Sequence, residues 1–206
     1  MIDHNGPRNP RGKLGLLAHE VRACTVCAQH LPLGPRPVIR VDERAQVVIT
    51  GQAPGTRVHE TGIPWNDPSG DRLREWLGVD RDEFYDLNRF GLVPMGFCYP
   101  GRGKGGDLPP RPECAPLWHA RLRALLPEVK LTLLIGRYAQ LHYLNTRGEN
   151  LEQTVRRWRE FVTQGYFPLP HPSPRNTKWL RDRPWFEIEV LPALREIVAQ
   201  ALIVTN

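Results

Sequence analysis

No hydrophobic run in this 206-residue chain is long enough to cross a membrane; the longest, Leu131 to Ile135, is a fraction of the roughly 20 apolar residues a spanning helix needs. No apolar leader segment precedes Cys24, which sets the expectation of a cytoplasmic, reduced setting where disulfides are rare. Internal repeats are absent, which excludes a solenoid. Cysteine is scarce, at four residues, and there is no fifth to suggest a second thiol site. Proline and glycine, by contrast, are plentiful at 21 and 18, too many for a helical bundle and too scattered for low complexity. They imply structured loops between short elements. Negative charge falls short of positive by six, and the high isoelectric point near 9.5 is compatible with a nucleic-acid partner.

The length fits one domain able to bury a sheet between helices. Residues 1–13 carry almost no apolar side chain and read as a loose N-terminal arm ahead of a domain over 14–206. Leu14 to Cys24 has helical apolar spacing. The β-branched run Val47–Thr50 reads as a strand ending in the glycine-rich turn GQAPG. Asp71 to Leu77 reads as a helix with Ser69 as candidate cap, and Phe90 to Met95 as a second strand. A loop with five glycines, GFCYPGRGKGGDLPPRPEC, follows and leads into a helix from Cys114 to Leu126 with Leu117, Trp118, Leu122 and Leu125 inward. LTLLIG reads as a strand, Tyr138 to Leu144 as a helix, Phe161 to Leu169 as a last strand before PHPSPRN, and about Glu187 to Val204 as a final helix. Strands separated by helices predict a three-layer α/β/α sandwich around a mainly parallel four-stranded sheet, with sites at the carboxyl ends of the strands.

The cysteines fall as Cys24-x2-Cys27 and Cys98-x15-Cys114. Such pairs suit one four-ligand site, with the second pair folded back onto the first. Spacing alone leaves an iron–sulfur cluster, a structural zinc, two disulfides or four separately buried thiols open.

The stretch GQAPGTRVHETGIPWNDPSGDRLREWL, the four cysteines, LTLLIGRYAQ and HPSPRN together resemble the uracil-DNA glycosylase superfamily over nearly the whole chain. The resemblance is closest to its iron–sulfur branch, family 4, whose first motif has the form GEAPG, TGxPF, GPAG; HPSPRN itself is more similar to the single-strand-selective branch. It implies a monofunctional glycosylase that removes uracil from deaminated DNA and leaves an abasic site. Glycosylases for hypoxanthine or xanthine, or a lesion binder with little turnover, are the alternatives. It also implies a [4Fe–4S] cluster, or zinc in its place, on Cys24, Cys27, Cys98 and Cys114. The expected partner is DNA containing a deaminated base. A monomer with neither nucleotide cofactor nor membrane association is expected.

Each need of that chemistry maps onto a residue type. Trp65 offers an aromatic face for an extruded base, and backbone amides of Ala53 and Gly55 can approach its edge. His171 suits stabilisation of the leaving base. Ser173, Arg175, Arg102 and Lys104 suit phosphate contacts. Three positions depart from the family pattern. Gln52 stands where GEAPG has its acid, Pro94 where an asparagine reads the uracil edge, and Trp65 where a phenylalanine stacks. Gln52 can orient water but cannot take its proton, so Glu60, Asp67 and Asp71 are candidate substitutes, with Asp67 favoured as a catalytic group. His59 is the nearest histidine to the position at which one branch traps the abasic sugar, but it lies before that position and no inserted loop follows PSG.

Overall fold

A computed structural model describes residues 12–203. The first helix, α1 (Gly12–Arg22), already includes residues 12 and 13 of the expected arm; the rest of that arm lies outside the described residues. The central sheet starts with β1 (Val47–Thr50), followed by α2 (Thr56–Thr61), α3 (Pro68–Leu77), α4 (Arg81–Phe84) and β2 (Phe90–Leu92). The inter-cysteine loop carries a small antiparallel hairpin, β3 (Arg102–Gly103) and β4 (Gly106–Asp107). Then come α5 (Cys114–Arg123), β5 (Leu131–Ile135), α6 (Arg137–Tyr143), α7 (Leu151–Arg156), α8 (Trp158–Val162), β6 (Tyr166–Leu169), α9 (Thr177–Arg181) and α10 (Leu191–Ala201).

The four main strands are all parallel, in the order β2-β1-β5-β6. Alternation along each strand divides the core. Val47 and Ile49 face a cluster with Leu73, Trp76, Phe186 and Leu194, while Val48 faces Leu17, Val21, Trp118 and Leu122 on the other side. Helices therefore cover both faces, as a parallel sheet of buried strands requires. Because β1 lies between β2 and β5, the carboxyl ends of the central strands open a crevice where the chain changes direction across the sheet.

Several elements differ from expectation. Phe161 belongs to α8, not to the last strand, which starts only at Tyr166. Trp158 stacks on Phe167 at 5.1 Å, so an aromatic on the helix covers the strand that follows. Pro168, which cannot donate to a ladder, is accommodated because β6 is an edge strand. Asp67, not Ser69, caps α3 by accepting from the Gly70 N–H at 2.9 Å, with Pro68 at the first helical position. Leu117 is exposed on α5, because the inward stripe runs through Cys114, Ala115, Trp118 and Leu122. The final helix is a wider π-type turn, Phe186–Val190, running into α10, and residues 204–206 lie outside the described residues. No helix among the described residues is long and apolar enough to cross a membrane.

Candidate active site

The GQAPG turn leaves β1, and the segment after β2 is laced onto it. The N–H groups of Met95 and Gly96 donate to the carbonyls of Gly51 and Gln52 at 2.9 and 3.0 Å. On the opposite wall, Gln140 of α6 donates to the carbonyls of Leu134 and Leu169 at 3.3 and 2.9 Å, fixing the point where HPSPRN departs from β6. Between these walls lies a cavity of about 440 Å³, within the range of small-molecule sites. Gln52, Ala53, Gly55, Trp65, Asp67, His171, Ser173 and Arg175 all line it. Eight positions spread over some 120 residues of chain thus share one cavity. Arg102 and Lys104 lie on the hairpin, outside the lining, though the neighbouring Gly105, Gly106 and Asp107 enter it.

Trp65 is held by unusual means. It is the one non-glycine residue with a left-handed backbone among the described residues, at φ 59°, a conformation costing a bulky residue about 1–2 kcal/mol. The surroundings enforce it. A Cβ on Gly70 would lie 1.8 Å from the Trp65 carbonyl oxygen, and one on Gly51 2.7 Å from its ring. Arg74, buried and paired with Asp71 at 2.5 Å, donates to the Trp65 carbonyl at 3.4 Å, and the Tyr85 hydroxyl donates to the Pro64 carbonyl at 2.8 Å. Asp71 is therefore a partner of Arg74, and neither it nor Glu60 lines the cavity.

The indole stacks against His171, with ring centroids 5.7 Å apart and planes 30° from parallel. Ser173 N–H donates to His171 Nδ1 at 3.2 Å, so a neutral ring carries its proton on Nε2. Burial lowers the His171 pKa, and the nearby Asp67 carboxylate opposes that shift. The result is a neutral imidazole with an N–H available for donation. Arg72 of α3 donates to the Ser173 carbonyl at 3.1 Å and to Thr177 Oγ1 at 3.3 Å, holding the HPSPRN loop. Arg175 donates to the Gly105 carbonyl at 2.8 Å, tying that loop to the hairpin.

Pro94 lines the cavity without a side-chain donor or acceptor, and its carbonyl accepts from His119 Nε2–H at 3.1 Å. His119 Nδ1 in turn accepts from the Tyr143 hydroxyl at 2.6 Å. Burial, with nearby His142 contributing, lowers the His119 pKa to about 4, so this ring is neutral as well. His59 stands apart from the cavity, 6.1 Å from the Tyr99 ring.

The four cysteines line a second, smaller pocket with Leu31, Pro37, Phe97, Arg111 and Trp118. All are free thiols. Burial drives Cys98 up to about 11 and Cys114 up to about 12, with the other cysteines adding to both shifts; backbone N–H groups of Arg36 and Phe97 oppose them. Among the described residues no group of three or more His, Cys, Asp or Glu side chains is arranged to hold a metal ion. The donor set nonetheless fits a soft metal or cluster: four thiols on one apolar pocket, with backbone N–H groups directed at two of the sulfurs.

Residues 39–195 match the family model described as the uracil DNA glycosylase superfamily. The chain belongs to that superfamily. Among curated relatives it is similar to the type-4 uracil-DNA glycosylase of Sulfurisphaera tokodaii, with 23% identity over 141 residues, covering 63% of this chain and 60% of that one. The matched region thus spans less than two thirds of the relative's length. Superfamily membership agrees with the parallel sheet and with a cavity at its strand ends.

Sequence reasoning missed Asp107, Gly105, Gly106 and Arg72. The inter-cysteine loop has no periodicity that predicts a hairpin, and Arg72 reads as an ordinary helix-surface cation until its carbonyl partners are seen. The only available signal was the length of that loop, since long loops in compact domains are usually functional or tied down.

Proposed function

We propose that this protein is a monofunctional DNA glycosylase that hydrolyses the N-glycosidic bond of uracil in deaminated DNA, leaving an abasic site. The observation that carries this reading is the His171–Trp65 pair, stacked in the cavity with the imidazole N–H on Nε2. An extruded base would stack on Trp65 with its carbonyls facing backbone N–H groups of Ala53 and Gly55. As the glycosidic bond breaks, electrons pass to the base, and the Nε2–H of His171 stabilises that charge. Removing one such donor commonly costs a hundredfold or more, roughly 10²–10³ in rate. Asp67 supports the ring by favouring positive charge on it. Ser173, Arg175, Arg102 and Lys104 form the phosphate-facing rim, so affinity falls with salt.

Cys24, Cys27, Cys98 and Cys114 would hold a [4Fe–4S] cluster, or zinc in its place. Such a group supplies no step of the hydrolysis; bound there, it orders the loop that carries the hairpin. The protein acts as a monomer in the cytoplasm, with damaged DNA as partner and neither membrane nor nucleotide cofactor involved, and residues 14–206 form its single domain.

Pro94 favours a second reading, release of deaminated purines such as hypoxanthine or xanthine, because it gives the wall no side chain able to read a pyrimidine edge. Excision assays on oligonucleotides carrying uracil, hypoxanthine or xanthine, in single and double strands, separate the two. Uracil release supports the proposal, purine release alone supports the second reading, and retention of DNA with no base released makes the protein a lesion binder.

A further inference from the structure

The first motif lacks its acid, yet a carboxylate reaches the same place from another part of the chain. Asp107, on the outgoing strand of the hairpin, lines the cavity. Its Oδ2 lies 3.3 Å from where a Cβ on Gly55 would stand, so the carboxylate rests against the GQAPG turn itself. Gln52, the residue in the acid's position, lines the cavity but has its amide nitrogen engaged. Its Nε2 donates to the carbonyl of Leu108 at 3.2 Å, next in sequence to Asp107. The replaced side chain thus anchors the strand that carries a carboxylate.

Two further tethers fix the hairpin. Arg102 and Asp107 form a ladder pair, and Arg175 holds the Gly105 carbonyl from the HPSPRN loop. Asp107 is exposed to solvent and lines the cavity, and among the described residues no hydrogen bond or ion pair engages its carboxylate. Asp67, the other cavity acid, already caps α3 and borders His171.

Resting on the glycosylase reading above, we propose that Asp107 is the general base of the hydrolysis and Gln52 the residue that positions it. The bond from C1′ to the base nitrogen breaks with its electron pair leaving on the base. Water oxygen forms the new bond to C1′, Asp107 takes a proton from that water and later releases it to solvent, and the departing base anion is protonated from solvent. Atoms and charge balance with water as the only co-reactant.

The test is single-turnover base release by Asp107→Asn and Asp107→Glu proteins across a pH series, beside DNA affinity and thermal unfolding. Asp107→Asn is expected to slow release by about 10²-fold, within the usual range for a lost general base, and to lose the acid limb of the wild-type profile while DNA affinity and unfolding stay unchanged. Asp107→Glu, which keeps a carboxylate, should recover much of the rate. An Asp107→Asn protein with wild-type rate and profile would overturn the role of Asp107 alone. A wild-type protein inert on every base of the panel would overturn the glycosylase reading, and this role with it.

Discussion

The base-sized cavity and the cysteine pocket are built by opposite means. The larger is open and mixes polar with apolar side chains, and its walls are loops clamped by side chains reaching foreign carbonyls: Gln52 to Leu108, Arg72 to Ser173, Arg74 to Trp65, Arg175 to Gly105. The smaller is lined by thiols and apolar side chains with one cation, Arg111, at its edge, and its thiols are held uncharged, with burial keeping Cys98 and Cys114 far above neutral pH. One site keeps neutral donors ready. The other would gain most from a cation that turns thiols into thiolates. The segment from Cys98 to Cys114 belongs to both, ending on thiols at either side and presenting the hairpin in its middle, so order in the small pocket is order at the rim of the large one.

The sharpest way to break this comparison is to damage each pocket separately. His171→Ala should reduce single-turnover base release by roughly 10²–10³ while DNA affinity, read by gel shift, changes little; equal losses in both would mean the ring binds DNA and does no chemistry. Cys98→Ala should act through stability, lowering the melting temperature by about 4–8 °C for a loss of about 2 kcal/mol and weakening DNA binding, with less metal or iron per chain. A variant matching wild type in melting, colour and binding would remove any cluster from the account.

His119 sharpens the contrast further, since it lies under the large pocket yet is as buried as the thiols. Its folded pKa of about 4 is below the unfolded value near 6.5, so the unfolded state takes up the proton first. Stability from its neutral form is present above about pH 6.5 and is lost as pH falls toward 4, by about 3 kcal/mol in full. Urea midpoints across that window should flatten in His119→Gln, and an unchanged slope would assign the acid sensitivity elsewhere. The smallest effect is expected from Arg175→Ala, a loss of about one unit in the salt slope of DNA binding with modest weakening that is uniform across sequences.

Much of the large pocket was legible because its parts sit in short, contiguous motifs at strand ends. GQAPG follows an apolar β-branched run, and HPSPRN follows an apolar stretch with proline at a strand edge. The CxxC likewise follows a helix whose apolar period is plain. What was hidden depends on contacts across distance. Asp67 looks like any acid near a motif until it is seen capping α3, and Asp107 lies in a glycine-rich loop whose pairing has no local pattern. The misplaced start of β6 has a similar cause: Phe161, Val162 and Tyr166 satisfy an apolar run, but the turn that separates helix from strand, closed by the Gly165 N–H on the Val162 carbonyl, is read only once the chain folds.

Trp65, Gly51 and Gly70 also constrain how this pocket can change over generations. The left-handed tryptophan requires a missing side chain on both sides, for different reasons: Gly51 leaves room for the indole, and Gly70 leaves room for the backbone carbonyl of residue 65. A substitution at Gly51 drives an atom into the indole and is relieved once the ring is lost, whereas one at Gly70 meets the backbone carbonyl of position 65 whatever its side chain. Paths to a pocket of different selectivity are therefore ordered at one position: the ring must go before Gly51 can vary, while Gly70 stays fixed throughout. A combinatorial library that randomises positions 51 and 65 together, with Gly70 kept, should recover functional members that no stepwise walk beginning at Gly51 would reach.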